Sequence, residues 1–165
     1  MAHPGRPRKC DPKVGNLRGN IYSNEFDVAK ATLEEFGLDA TDGDGRTALM
    51  NATIENKPDF IMWLIKKGAT INHQDRIGYS ALHFAAEQNS SDLTKLLLDN
   101  GANPNLQDIH GNIPLWTAMF NSKLAISDTV RLLIKHKSNY ELVNNYGKTP
   151  KVMFETFYKN DISKV

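Results

Sequence analysis

The chain has 165 residues, 40% of them hydrophobic and 24% charged, which suits one globular domain and argues against a disordered or membrane-embedded chain. Its formal net charge of +1 argues against a wholly basic nucleic-acid binder. With Cys10 as the only cysteine, neither an internal disulfide nor a thiolate zinc cluster can form, which suits a reducing compartment, and the cytoplasm is the expected address.

Residues 1–20 hold Arg6, Arg8, Lys9, Lys13 and Arg18 against Asp11 alone, so the remaining residues, with 15 basic and 18 acidic side chains, are mildly acidic. Rich in Pro, Gly and Arg, this stretch reads as a flexible or loosely docked basic arm. Its Gly5-Arg6-Pro7, flanked by Pro4, Arg8 and Lys9, resembles an AT-hook core, whose arginines enter a narrow minor groove. So few charges predict only weak, salt-sensitive binding, and a solvated tail is the favoured reading. No apolar run of about seven residues follows the basic ones, and none anywhere approaches about 18, so neither secretion nor membrane spanning is expected. Residues 24–36 form the first expected helix, with Phe26, Ala29, Leu33 and Phe36 on one stripe and Gly37 after it, as an opening cap.

From there the chain repeats. Shifted by 33 residues, Gly45-Arg46-Thr47-Ala48-Leu49-Met50 falls on Gly78-Tyr79-Ser80-Ala81-Leu82-His83, and that block on Gly111-Asn112-Ile113-Pro114-Leu115-Trp116. The same shift carries Ile65-Lys66-Lys67-Gly68-Ala69 onto Leu98-Asp99-Asn100-Gly101-Ala102. Gly147-Lys148-Thr149-Pro150 begins 36 residues after Gly111, which places a three-residue insertion within 122–128. Each unit reads as a turn, a helix, a short loop, a second helix and a longer loop. In the second unit Ser80 caps an inner helix with Leu82, Ala85 and Ala86 on its apolar face; Ser90 or Ser91 caps an outer helix with Leu93, Leu96 and Leu97, ended by Gly101. Phe60, Trp63, Leu64 and Gly68 play the same parts in the first unit.

This pattern resembles the ankyrin repeat, a turn followed by T-P-L-H-x-A about every 33 residues, and Ser80-Ala81-Leu82-His83-Phe84-Ala85-Ala86 is the nearest match. The resemblance implies an all-α ankyrin-repeat solenoid of stacked helix-turn-helix units with β-turn or hairpin tips over residues 21–165. Its repeats fall at about 42–74, 75–107 and 108–143, with a closing half-repeat at 144–165 whose Phe154, Phe157 and Tyr158 cover the last layer. Met50 and Trp116 stand where the family favours histidine, so turn-to-turn hydrogen bonding is expected only at His83. Lys137 stands where it favours a helix-ending glycine, so that turn is expected to differ.

In the family the turn tips and the exposed ends of the inner helices form the partner-binding face. Carried over, the positions are Gly43, Asp44, Arg46, Ile54 and Glu55; Arg76, Ile77, Tyr79, Glu87 and Gln88; Ile109, His110, Asn112, Phe120 and Asn121; and Asn145, Tyr146 and Lys148. Ile77, Tyr79, Ile109, Phe120 and Tyr146 are apolar or aromatic where exposure is expected, a row of binding anchors. The competing reading packs Trp116 and Phe120 beneath the inserted loop. Outer-helix charges such as Lys66, Lys95, Asp99 and Arg131 read as a solvated face.

Little chemistry is on offer. The five histidines lie apart, no HExxH pair or glycine-rich phosphate loop occurs, and no catalytic residue is assigned. Asp42-Gly43-Asp44-Gly45 suggests a calcium loop, but in that register Ala40 and Asn51 occupy essential ligand positions, and tight-turn geometry explains the same residues. The sequons at Asn51 and Asn89 are incidental without a secretion signal. No enzyme activity, cofactor, metal, small-molecule substrate or membrane is expected. The expectation is a protein that holds another protein, such as a toxin or enzyme, in one version as an inhibitor similar to bacterial immunity proteins of ankyrin type. The rival is an adaptor or regulator whose basic arm touches DNA.

Overall fold

The computed structural model describes residues 10–122 and 126–158. Among these residues the chain is all-helical, with ten helices and no strand, and it forms two compact units divided between Ala81 and Leu82. No helix among the described residues is long and apolar enough to cross a membrane.

The first unit contains α1 (Pro12–Gly15), α2 (Leu17–Tyr22), α3 (Phe26–Phe36), α4 (Ala48–Ile54) and α5 (Pro58–Lys67). Asp11 starts α1, its carboxylate accepting the Lys13 N–H at 2.9 Å, with Pro12 in the first turn, where no amide hydrogen is needed. Val14, Leu17 and Ile21 follow at helical spacing and are buried, α2 packing against both α3 and α4. Lys13 anchors α1 to α3 through Glu35 at 2.7 Å, a hydrogen bond that raises the lysine's pKa. The expected loose arm over 1–20 therefore does not extend through residues 12–20. Composition concealed three apolar side chains spaced for one helical face. Residues 1–9, with the AT-hook-like segment, lie outside the described residues.

The opening cap is also more than one helix. In α2/α3, as in α4/α5, a short helix and a longer one are joined through an asparagine in the left-handed region, Asn24 (φ 61°) and Asn56 (φ 51°). The next N–H reaches back into the first helix, Glu25 to the Asn20 carbonyl at 2.8 Å and Lys57 to that of Ala52 at 2.9 Å. Asparagine tolerates this conformation better than other side chains. Phe26 stacks on Phe60 at 4.9 Å and Phe60 on Trp63 at 5.4 Å, joining α3 to α5, while the Lys30 ammonium lies 5.6 Å from the half-buried Trp63 ring.

The second unit holds most of α6 (Ala81–Glu87), then α7 (Ser91–Asp99), α8 (Pro114–Asn121), α9 (Asp128–Lys135) and α10 (Pro150–Tyr158). Between α6 and α7, Asn89 (φ 50°) makes the same link and Ser90 caps α7, accepting the Leu93 N–H at 3.3 Å. α9 packs against α7 and α8, and α8 against α10, whose Met153 and Phe154 are buried. The Phe157 and Tyr158 side chains, and residues 123–125 of the expected insertion, lie outside the described residues.

At Lys137 the expected difference does not occur. Its φ of 64° follows Gly68 and Gly101, and the Ser138 N–H reaches the Leu133 carbonyl at 3.0 Å, as Ala69 reaches Leu64 and Ala102 reaches Leu97 at 3.0 Å. The bonding of the helix end overrides the side chain's preference, and strain of about 1 kcal/mol is retained. Lys137→Gly should therefore raise stability by about 0.5 kcal/mol, the gain being reduced by glycine's greater freedom when unfolded. Urea unfolding checks this, and a destabilised variant would refute it.

Candidate protein-binding surface

Four turns carry most of the candidate residues: 42–46, 75–79, 108–112 and 144–148. In each, the first residue's N–H bonds the fifth residue's carbonyl at 2.8–3.0 Å. The fourth residue is a glycine with φ of 70–81°, its N–H on the first residue's carbonyl. The first residue's side-chain Oδ1 accepts two further amides: Asp42 those of Asp44 and Arg46, Asp75 those of Ile77 and Tyr79, Asp108 those of His110 and Asn112, and Asn144 those of Tyr146 and Lys148, all at 2.8–3.0 Å. The Asp42 carboxylate thus organises a turn. No group of three His, Cys, Asp or Glu that could hold a metal occurs among the described residues.

Within each unit the tips are tied together. In the first, the Arg76 N–H donates to the Asp44 carbonyl at 3.2 Å, His73 Nε2 bonds the Gly45 carbonyl at 3.2 Å, and Arg46 Nε reaches the buried Asp75 carboxylate at 3.4 Å. In the second, Asn145 donates its N–H to the His110 carbonyl and its Nδ2 to that of Ile109, both at 2.9 Å. Asn144 Nδ2 reaches Asn112 Oδ1 at 2.8 Å, and His83 Nε2 bonds the Asn112 carbonyl at 3.2 Å. A Cβ on Gly111 would lie 2.9 Å from the Asn145 nitrogen, so this approach needs glycine. The expectation that only His83 ties turns together is corrected: backbone amides, His73, Arg46 and Asn144 share the task.

Burial raises the pKa of Asp75, with the Tyr79 and Ile77 amides and Arg46 opposing. Asn144 fills the same turn position without a charge. Burial also lowers the pKa of His83 to about 4, opposed by its bond to Asn112 and by nearby Asp108.

The candidate positions separate by accessibility. In the first unit Asp44 is exposed, whereas Gly43, Arg46, Ile54, Glu55, Arg76, Ile77 and Tyr79 are half-buried. In the second unit Glu87, Gln88, Ile109, His110, Phe120, Asn121, Asn145, Tyr146 and Lys148 are exposed, and Asn112 is half-buried. Arg46 and Asn112, both fifth in their turns, engage the next tip. Tyr146 lies over His110, ring centres 6.1 Å apart, its hydroxyl 3.2 Å from Nδ1. Ile109 is 47% exposed, Tyr146 66% and Phe120 68%, so Phe120 is not packed away.

The sequence reading missed Tyr22, also 68% exposed, at the end of α2. It stands two residues before Asn24, as Ile54 stands before Asn56 and Glu87 before Asn89. The asparagine spacing of 32 and 33 residues was the available signal.

The family model for ankyrin repeats, in three copies, matches residues 20–108 and 82–154. Among curated proteins no match was found. Ankyrin repeats generally bind other proteins, and their family is typically non-catalytic. The match spans most of the chain, beginning within α2 ahead of the first turn, and its period is that of the helices and turns seen here: the chain belongs to the ankyrin-repeat family and carries a protein–protein interaction module.

Proposed function

We propose that the chain holds one partner protein on its turn tips and inner-helix ends, without transforming it, and that this partner is a toxin or enzyme inhibited by being held. The observation that carries the reading is the exposure of three large apolar side chains, Ile109, Tyr146 and Phe120, in the second unit, the first two on turns fixed to one another by the Asn145 bonds. Exposed apolar side chains on a preorganised backbone bind with little ordering cost. The mild acidity of residues 21–165 favours a basic partner such as a nuclease, and the proposed setting is the cytoplasm.

The test compares the full chain with Ile109→Asp/Phe120→Asp/Tyr146→Ala as baits in a lysate of the source organism, after both show the same helical signal. One stoichiometric partner on the wild-type bait alone, losing its activity when bound, is the expected result. The same partner on both baits would overturn the assignment of the surface. Retained activity in the complex would overturn inhibition and leave an adaptor.

A further inference from the structure

We infer that the ends of α2 and α4 form a carboxylate-binding pocket, which receives an acidic residue of the partner together with an apolar neighbour. The inference rests on the reading that inner-helix ends face the partner, and it extends that surface to a helix pair with no turn tip of its own.

A groove of about 360 Å³ is lined by Arg18, Gly19, Tyr22 and Glu55. Arg18 and Tyr22 are four residues apart on α2 and so share a face. Arg18 Nε donates to Glu55 Oε1 at 2.7 Å. That bond engages Nε and restrains the guanidinium; the edge formed by the two Nη nitrogens takes no part in it. The Arg18 side chain is 49% exposed and that of Glu55 only 13%. The glutamate therefore holds the arginine, and the arginine meets the ligand. A planar pair of N–H donors held in one orientation matches a carboxylate in two parallel hydrogen bonds. A basic ligand is disfavoured, because the carboxylate among the groove's described lining residues, that of Glu55, is largely covered and already engaged.

Tyr22 supplies the apolar wall, its ring exposed beside the cation. Gly19, between Arg18 and Tyr22 in sequence, lines the groove without a side chain. Together these groups suit an Asp or Glu, or a chain-terminal carboxylate, adjoining an aromatic or aliphatic side chain.

The probe is N-acetylphenylalanine, a carboxylate beside a benzyl group, titrated into the ¹⁵N-labelled full chain. Saturable shifts are expected at the Gly19 and Tyr22 amides and the Arg18 Nε–H, with a dissociation constant of about a millimolar. The uncharged N-acetylphenylalaninamide should bind about tenfold more weakly. Arg18→Lys, which keeps a cation near Glu55 but has no planar fork, should weaken the acid about fivefold, and Tyr22→Ala, at an exposed position, by a similar factor. No saturable shift at about ten times the expected constant, or equal binding of acid and amide, would overturn the inference. If the probe fails while the partner is still captured through Ile109 and Tyr146, only the pocket is wrong. If it binds as expected and no partner is captured, the pocket stands and the partner reading is wrong.

Discussion

A chain that begins at Ser23 should lose most of the stability of its first unit. Deleting residues 1–22 removes Val14, Leu17 and Ile21, all buried, and strips α3 and α4 of the helix packed on them. Burial of one such side chain contributes about 1.5–3 kcal/mol, so the three together approach the 5–15 kcal/mol, roughly, that holds a whole domain folded. The exposed flanks of α3 and α4 would then face water, and in a repeat array each helix pair depends on its neighbours. Urea unfolding followed by circular dichroism should show a large drop in midpoint and a loss of helical signal before denaturant is added. Ile21→Ala offers a milder version, expected to cost about 2–4 kcal/mol, against Val28→Ala at a half-exposed site, expected to cost about 0.5 kcal/mol. An unchanged midpoint in the truncated chain would mean that α1 and α2 contribute nothing to the fold.

Acidification should destabilise the second unit through one side chain. His83 titrates at about 4 in the folded chain, against an ordinary 6.5, chiefly because burial disfavours the imidazolium. As pH falls through this window the unfolded chain takes up a proton that the folded chain refuses. The stability due to His83 is complete above about pH 6.5 and is lost as pH falls towards 4, by about 3 kcal/mol in all. Asp75, whose pKa is raised, acts in the opposite sense, since protonation at low pH relieves its buried charge. Subtracting the profile of His83→Gln from that of the wild type isolates the histidine. The difference should fall steadily between pH 6.5 and 4. A flat difference would show that His83 takes up its proton equally well folded and unfolded.

Much of this architecture was legible in the chain. The glycines at 45, 78, 111 and 147, each three residues after Asp or Asn, announced turns whose hydrogen bonds follow that pattern at every tip. The α2/α3 pair was hidden because no such turn precedes it, and because Leu17 and Ile21 are separated by Arg18, Gly19 and Asn20, residues that suggest an unstructured tail. Lys137 misled in the other direction: local preference argued for a different turn, and the bonds closing the end of α9 imposed the common one. The candidate surface was legible only as positions. That Arg46 turns to Asp75 and Asn112 to Asn144 depends on residues 29 and 32 further along, and no local rule states which polar groups of a loop face its neighbour and which face water.

The division of labour inside each turn has an evolutionary corollary. Shape is set by the first residue's acceptor oxygen and the fourth residue's glycine, and in the first and third turns the fifth residue, Arg46 or Asn112, joins its tip to the next. Apart from Asn145, whose Nδ2 ties its tip to Ile109, the second and third side chains are not what shapes the loop: Gly43 and Asp44, Arg76 and Ile77, Ile109 and His110, and Tyr146 differ widely in size and charge on one backbone. Mutation at these seven positions can change the surface offered to a partner while the scaffold beneath stays constant, so specificity can drift, or be redesigned, largely independently of folding.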